Sequence, residues 1–314
     1  MRILIVGAGA VGGYFGARLL AAGRDVTFLV RAARGQQLDE HGLQISSTKG
    51  DVSLSHVPWV VAADIDQPFD LILLSCKAWQ LDSAMDDLVR AIGPQSLIVP
   101  LLNGLRHLDR LDERFGSAQI LGGKCFVSLD KRADGTIVHF NDRDDLSFGA
   151  RTGQDSARLL AVAKVLNDAG FAAQLSDNIV QEMWEKWMFI ATGGAITSLM
   201  RASVGDIVEA EGVDLITDLF EECAAIARHA GYPPRAPVRE AFLQVLTQPG
   251  SALTASMLRD VERGDATEAE HVLGDLLSRR PPETVETPDR SVLRLAYTHL
   301  LAYAARRARE SREQ

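Results

Sequence analysis

The chain reads as an α/β unit built on a parallel sheet, followed by an all-α unit. Three observations predict this. Short, wholly apolar runs alternate with helical periods as far as about residue 176. A glycine-rich turn joins the first apolar run to the first helix. From Asp177 onward the apolar spacing is helical and stays so. The predicted division is therefore 1–176 and 177–314.

Ile3-Leu4-Ile5-Val6 is apolar at every position, as a strand buried on both faces requires. Gly7, Gly9 and Gly12 follow at the spacing G-x-G-x-x-G, with Ala8, Ala10 and Val11 between them. Tyr14 to Ala22 reads as a helix ended by Gly23, and Asp25 to Val30 as a second strand. In that setting the first glycine permits a tight turn and the second lets backbone approach a pyrophosphate. The third lets helix pack on strand, and the helix start offers free N–H groups to an anion. This is the dinucleotide-binding arrangement of a Rossmann-type domain. The second strand ends Leu29-Val30-Arg31, with Arg34 next and no acid before Asp39. A carboxylate there would serve ribose hydroxyls, whereas a guanidinium binds a 2′-phosphate. NADP(H) is thus favoured over NAD(H), although Arg34 taken alone reads equally well as a solvated loop charge.

Further strands are expected at Phe69–Leu74, Ser96–Leu101, Ile120–Val127, Ile137–His139 and Leu146–Gly149, and a short one at Ala172–Leu175. Helices are expected from Met85 to Ala91 and over Ser156–Ala169. Together these give a doubly wound sheet with antiparallel additions. In the second unit, helices are expected at Val180–Leu199, Val213–Ala230, Val238–Leu246, Ser251–Glu262, Thr267–Ser278 and Arg290–Arg307. Gly231-Tyr232-Pro233-Pro234 and Arg279-Arg280-Pro281-Pro282 read as turns, and the charged tail Arg306–Gln314 as a fraying end. Such a helical unit beside a dinucleotide unit is expected to leave a cleft for a substrate.

The net charge of −9 argues against a general nucleic-acid surface. Cys76, Cys125 and Cys223 lack metal-ligand spacing and leave one over if two pair, which suits reduced thiols in the cytoplasm. No run is long enough for a membrane span, and the start reads as a core strand rather than a signal peptide. A small-molecule substrate is the expected partner, with no nucleic acid, membrane or metal, and a homodimer is allowed.

Four stretches carry chemistry-bearing side chains. Lys77, in Ser75-Cys76-Lys77-Ala78-Trp79-Gln80, follows a buried strand, at the end where ligands sit in open α/β sheets; it equally suits a surface lysine starting a helix. Asn103, in Leu101-Leu102-Asn103-Gly104, offers donor and acceptor to a carboxamide or a hydroxyl, or makes a plain Asn-Gly turn. Lys186 lies at the edge of the stripe Trp184, Trp187, Met188 and Ala191. It is a proton donor for an alkoxide forming from a ketone, or a lysine snorkelling from a half-exposed helix. Ser256 and Asp260 share a helix face; beyond Gly264-Asp265, Thr267 and Glu270 suit a capping box that puts Glu268 in a first helical turn.

These stretches occur in one order. Gly-Ala-Gly-Ala-Val-Gly at 7–12, Cys-Lys-Ala-Trp-Gln at 76–80, Leu-Asn-Gly at 102–104, Glu-Met-Trp-Glu-Lys at 182–186 and Ser-Met-Leu-Arg-Asp at 256–260 with the later Thr-Glu together resemble the ketopantoate reductase family, from residue 1 to about 278. The resemblance implies NADPH-dependent reduction of 2-dehydropantoate to pantoate, a step of pantothenate biosynthesis. It further implies Lys186 as general acid and Glu268 as the carboxylate that orients cofactor and substrate. Asn103, Lys77 and Arg31 become cofactor contacts, Arg31 at the 2′-phosphate, and Ser256 a substrate contact.

One departure stands out. The family pattern often places asparagines four and eight residues after the lysine; here Ile190 and Gly194 occupy those positions. A buried hydroxyl left unpaired costs about 1–3 kcal/mol, so recognition of 2-dehydropantoate itself depends on a substitute such as Thr192, Thr197 or Ser198. Arg279-Arg280-Pro281-Pro282 also stands where a longer substrate-side connection is expected. A reductase of a less polar 2-keto acid or ketone is the first alternative. A non-catalytic NADP(H) sensor is a minor one, which retention of both Lys186 and Glu268 disfavours.

Overall fold

The computed structural model describes residues 1–151, 153–282 and 291–312. The chain falls into two compact units, Met1–Val180 and Gln181–Gln314. The first unit runs β1 (Ile3–Val6), α1 (Ala10–Ala21), β2 (Val26–Leu29), α2 (Ala32–His41), β3 (Leu43–Ser47), β4 (Val52–Leu54) and β5 (Trp59–Val60). It continues β6 (Leu71–Leu74), α3 (Leu81–Leu88), β7 (Leu97–Pro100), α4 (Arg106–Phe115), β8 (Gly122–Lys131), β9 (Ile137–Gly149), α5 (Ser156–Leu166) and β10 (Ala173–Leu175).

Strands β5-β2-β1-β6-β7 form a parallel sheet. β1, β6 and β7 are buried at every position, which is why they are apolar runs without alternation. The later strands do not extend this sheet, as the reading of a single doubly wound sheet expects. They build a second one, ordered β10-β9-β3-β4, with β8 antiparallel to β9. Its inner residues Ile45, Ile137, Leu146 and Phe148 share one apolar core with Tyr14, Phe15 and Leu19 of α1. Helix α1 is therefore buried over nearly its whole length, Gly12 through Leu19. It ends where expected: Gly23 adopts φ +72°, and the N–H groups of Gly23 and Arg24 return to Leu20 and Leu19.

The second unit is helical: α6 (Ile179–Met200, which starts in the first unit), α7 (Val204–Glu209), α8 (Val213–His229), α9 (Ala236–Leu246), α10 (Ser256–Glu262), α11 (Asp275–Ser278) and α12 (Val292–Glu310). A π-helical segment, Glu270–Gly274, runs into α11. The core holds Trp187, Met188 and Ile196 of α6 with Leu219, Phe220 and Cys223 of α8. Burial pushes the Cys223 thiol up to about 12. The tail expected to fray is instead helical through Glu310; the predicted helix start at Arg290 and the last two tail residues lie outside the described residues. Among the described residues no helix is long and apolar enough to cross a membrane.

Candidate active site

In the first unit the candidate residues gather at one edge of the parallel sheet. Val6 of β1 is level with Leu29 of β2 and Leu74 of β6, and Leu74 with Pro100 of β7. Just beyond that line come Gly7, Arg31, Ser75–Lys77 and Asn103, all at carboxyl ends of adjacent strands. Backbone bonds hold the register: Gly7 N–H to Leu29 at 3.0 Å, Ser75 N–H to Val6 at 3.2 Å, and Leu101 N–H to Leu74 at 2.8 Å.

Gly7 and Gly12 take the structural places that the spacing predicts. Gly7 has φ +92°, the left-handed region that glycine enters without strain. A Cβ on Gly12 would lie 2.2 Å from the Gly7 carbonyl oxygen and 2.2 Å from Ser75 Oγ, so helix meets strand with no room for a side chain. A Cβ on Gly9 would meet nothing within 4 Å. Gly9 is the N-cap of α1, no side chain caps that end, and no acid stands in the first turn. The result is an open ring of backbone N–H groups at a positive helix end, suited to a pyrophosphate.

Around this cradle, Arg31 is exposed and forms the N-cap of α2, which likewise has no acid in its first turn. Lys77 is exposed; its ammonium lies 5.6 Å from the centre of the Trp79 ring, and its N–H donates to Gln80 Oε1 at 3.3 Å. Asn103 is half-buried in a bend, and Gly104 beside it has φ +73°, in the left-handed region.

In the second unit Lys186 is only 7% exposed, which removes the reading of a snorkelling lysine. It sits on α6 among buried Met183, Trp184, Trp187 and Met188. The Trp187 indole N–H donates to the Val272 carbonyl at 2.8 Å, and the Val272 N–H donates to the Glu268 carbonyl at 2.8 Å. The segments that carry Lys186 and Glu268 are thus bonded to each other. The cap differs from expectation. Helical bonding begins at the Glu268 carbonyl, one residue past Thr267, and the Glu270 carboxylate accepts from the Tyr297 hydroxyl. Glu268 is half-buried at a helix start, where its negative charge meets the positive end.

Ser256 opens α10 and is exposed. The Ala255 N–H donates to Thr197 Oγ1 at 3.4 Å, and a Cβ on Gly194 would lie 3.5 Å from Met257 Cε, so α10 rests on α6. Ile190 is half-buried. Thr192, Thr197 and Ser198 are fully buried, and Thr197 donates back to the Gly193 carbonyl at 2.6 Å.

Sequence reasoning missed the clamp beside Lys186. Glu185, with a side chain 3% exposed, accepts from the Arg235 N–H at 3.0 Å, from Arg235 Nε at 2.8 Å and Nη2 at 2.5 Å, and from Gln181 at 3.2 Å. Desolvation by itself would raise this carboxyl, but the Arg235 and Gln181 bonds outweigh it and hold it below its ordinary value. Tyr232 stacks on Trp184 with ring centres 5.7 Å apart. The Gly231–Arg235 turn therefore grips α6 around the lysine. The signal for this lay in an acid on an otherwise apolar helix, but its partner is distant in the chain.

Both units match known proteins. Residues 3–153 match the family described as ketopantoate reductase PanE/ApbA, and residues 178–289 match its C-terminal domain. The uncharacterized oxidoreductase YkpB of Bacillus subtilis is 34% identical over 97% of this chain and 99% of its own. A 2-dehydropantoate 2-reductase of Mesorhizobium japonicum is 28% identical over 94% of this chain and 98% of its own. The crystal structure of 2-dehydropantoate 2-reductase from Geobacter metallireducens superimposes with a TM-score of 0.86 at 25% identity, covering 96% of this chain and 99% of that one.

Proposed function

For a chain that belongs to the ketopantoate reductase family of oxidoreductases, we propose NADPH-dependent reduction of a 2-keto acid to a 2-hydroxy acid, with 2-dehydropantoate as the first substrate to test. The observation that carries this reading is the buried Lys186, held on a segment bonded to the one that bears Glu268. An ammonium kept from water has a purpose where an alkoxide forms and takes up a proton.

When bound, the reduced nicotinamide supplies the hydride that adds to the carbonyl carbon. The chain's own residues do the rest. The open N–H groups at Gly9 and the start of α1 receive the pyrophosphate, and Arg31 the 2′-phosphate. Asn103 and Lys77, at the ends of β7 and β6, steady the cofactor beyond it. Lys186 Nζ donates a hydrogen bond to the carbonyl oxygen and passes it a proton as negative charge develops there. Glu268 orients cofactor and substrate, and Ser256 bonds a polar group of the substrate. In this proposal residues 1–176 bind the nucleotide and residues 177–314 bring substrate and acid.

A second reading has its own observation. One and two turns beyond Lys186, α6 presents Ile190 and Gly194, and the nearest atoms to a Cβ on Gly194 belong to Met257. That surface favours a 2-keto acid with an apolar side chain over the hydroxymethyl group of 2-dehydropantoate.

The test follows the loss of NADPH absorbance with 2-dehydropantoate and with a panel of alkyl and aryl 2-keto acids. Turnover of the first supports the leading reading; turnover of the panel alone supports the second. Lys186→Ala is expected to lower kcat about 100-fold or more while NADPH affinity is kept. Unchanged turnover would remove Lys186 from the mechanism.

A further inference from the structure

A second basic feature lies beyond Arg31. Arg34 stands in the first turn of α2, and its guanidinium reaches the β8–β9 turn, where Nη1 would lie 3.6 Å from a Cβ on Gly135. Among the described residues, its buried Nε and Nη2 meet no hydrogen-bond acceptor, and Nη1 donates to the Gln37 side chain at 3.2 Å. Lys131 ends β8 and pairs with Ile137. Ile137 is the residue against which Gly13 of α1 packs: a Cβ on Gly13 would lie 2.3 Å from Ile137 Cδ1. The hairpin thus links the first turn of α1, whose free N–H groups suit a pyrophosphate, to the first turn of α2. Burial lowers the pKa of Arg34; burial, and then the nearby Arg34 charge, lowers that of Lys131. The two cations thus share this hairpin, Arg34 at its turn and Lys131 at the end of β8.

We propose that Arg34 and Lys131 together bind a dianionic phosphate monoester between the first turns of α1 and α2, and that this phosphate is the 2′-phosphate of the dinucleotide. Buried N–H groups without acceptors are costly, and two cations repel. A phosphate monoester answers both, because its oxygens accept from the guanidinium and its charge offsets the pair. Gln37 makes only a short-range contact and can yield Nη1 to the incoming oxygen. In this arrangement Arg31 contributes an exposed contact and Arg34 a shielded one, where a charge-assisted bond is worth more. The inference rests on the NADPH reading given above and deepens it.

The experiment measures the affinity of NADPH, NADH and inorganic phosphate for the wild type and for Arg34→Gln, Lys131→Gln and Arg31→Ala, with thermal melts to check folding. The expected result is a loss of NADPH affinity of about tenfold or more in Arg34→Gln and Lys131→Gln, with NADH changed less than about twofold. Loss of inorganic phosphate binding in these variants, with NADPH and NADH untouched, keeps the phosphate site but assigns it to a source other than the cofactor. Equal losses for NADPH and NADH, or no change for any probe, overturn the proposal. If only Arg31→Ala abolishes the preference for NADPH, this inference fails while the NADPH reading stands. A wild type that prefers NADH sinks the NADPH reading and the 2′-phosphate assignment together, and the inorganic phosphate arm still decides whether the pair is an anion site.

Discussion

Two glycines of one motif are expected to fail in opposite ways. At Gly12 an added methyl collides with a backbone carbonyl, which cannot swing aside as a side chain can. Gly12→Ala should therefore push α1 off β1 and destabilise the protein by about 1–3 kcal/mol, read as a lowered Tm. At Gly9 the space is open and the backbone is extended, with φ −83° and ψ −163°, so alanine fits without strain. Gly9→Ala should keep stability within about 0.5 kcal/mol yet weaken dinucleotide binding, because the methyl occupies the approach to the helix N-terminus. Equal melting temperatures for the two variants would show that the spacing alone misassigns their roles. Both roles are readable from the sequence, since the glycines fall between a buried strand and a helix. The placement of Arg34 is not, since it depends on a hairpin about a hundred residues away.

Among the elements, α6 carries the greatest demand. It is buried along most of its length, yet accommodates the charges of Glu185 and Lys186. The α9 N-cap residue, Arg235, answers the first of these with three bonds. Arg235→Ala leaves a buried carboxylate behind and should cost about 3 kcal/mol, at the low end of its range because Arg235 is itself half exposed. The pH dependence follows from the depressed carboxyl of Glu185. With a folded pKa below the ordinary 4.5, its contribution is complete above that value and is lost as pH falls through the folded one. Melting curves of wild type and Arg235→Ala should thus differ most at neutral pH and converge in acid; a gap independent of pH would contradict this. Long elements such as α6 and α8 were legible because their apolar period repeats over several turns. β3, β4, β5 and α7 are short, and β4 and β5 are half-buried or more exposed throughout, so neither period nor composition marked them. The apolar runs of the antiparallel strands are legible in the sequence, but their membership of a separate sheet depends on β3, which no clear period marks.

On the scale of the whole molecule, the change of unit comes inside the first turn of α6. Ile179 still serves the first unit: it is fully buried, and a Cβ on Gly149 would lie 3.2 Å from it. A fragment ending at residue 180 is expected to fold and bind dinucleotide, whereas one ending at 176 loses this side chain and about 2–5 kcal/mol. Equal melting temperatures for the two fragments would place the boundary earlier. The second sheet has a consequence for synthesis. β3 lies parallel to β9, with Ile45 beside Ile137 and Ser47 beside His139, so the segment that follows α2 must wait for a strand made much later. While the chain is still on the ribosome, β3 has only the three-residue β4 as a neighbour, and its other edge stays unsatisfied until β9 emerges. Closing that gap is the slow, long-range event to look for in refolding, and the interval in which a nascent chain most needs a chaperone.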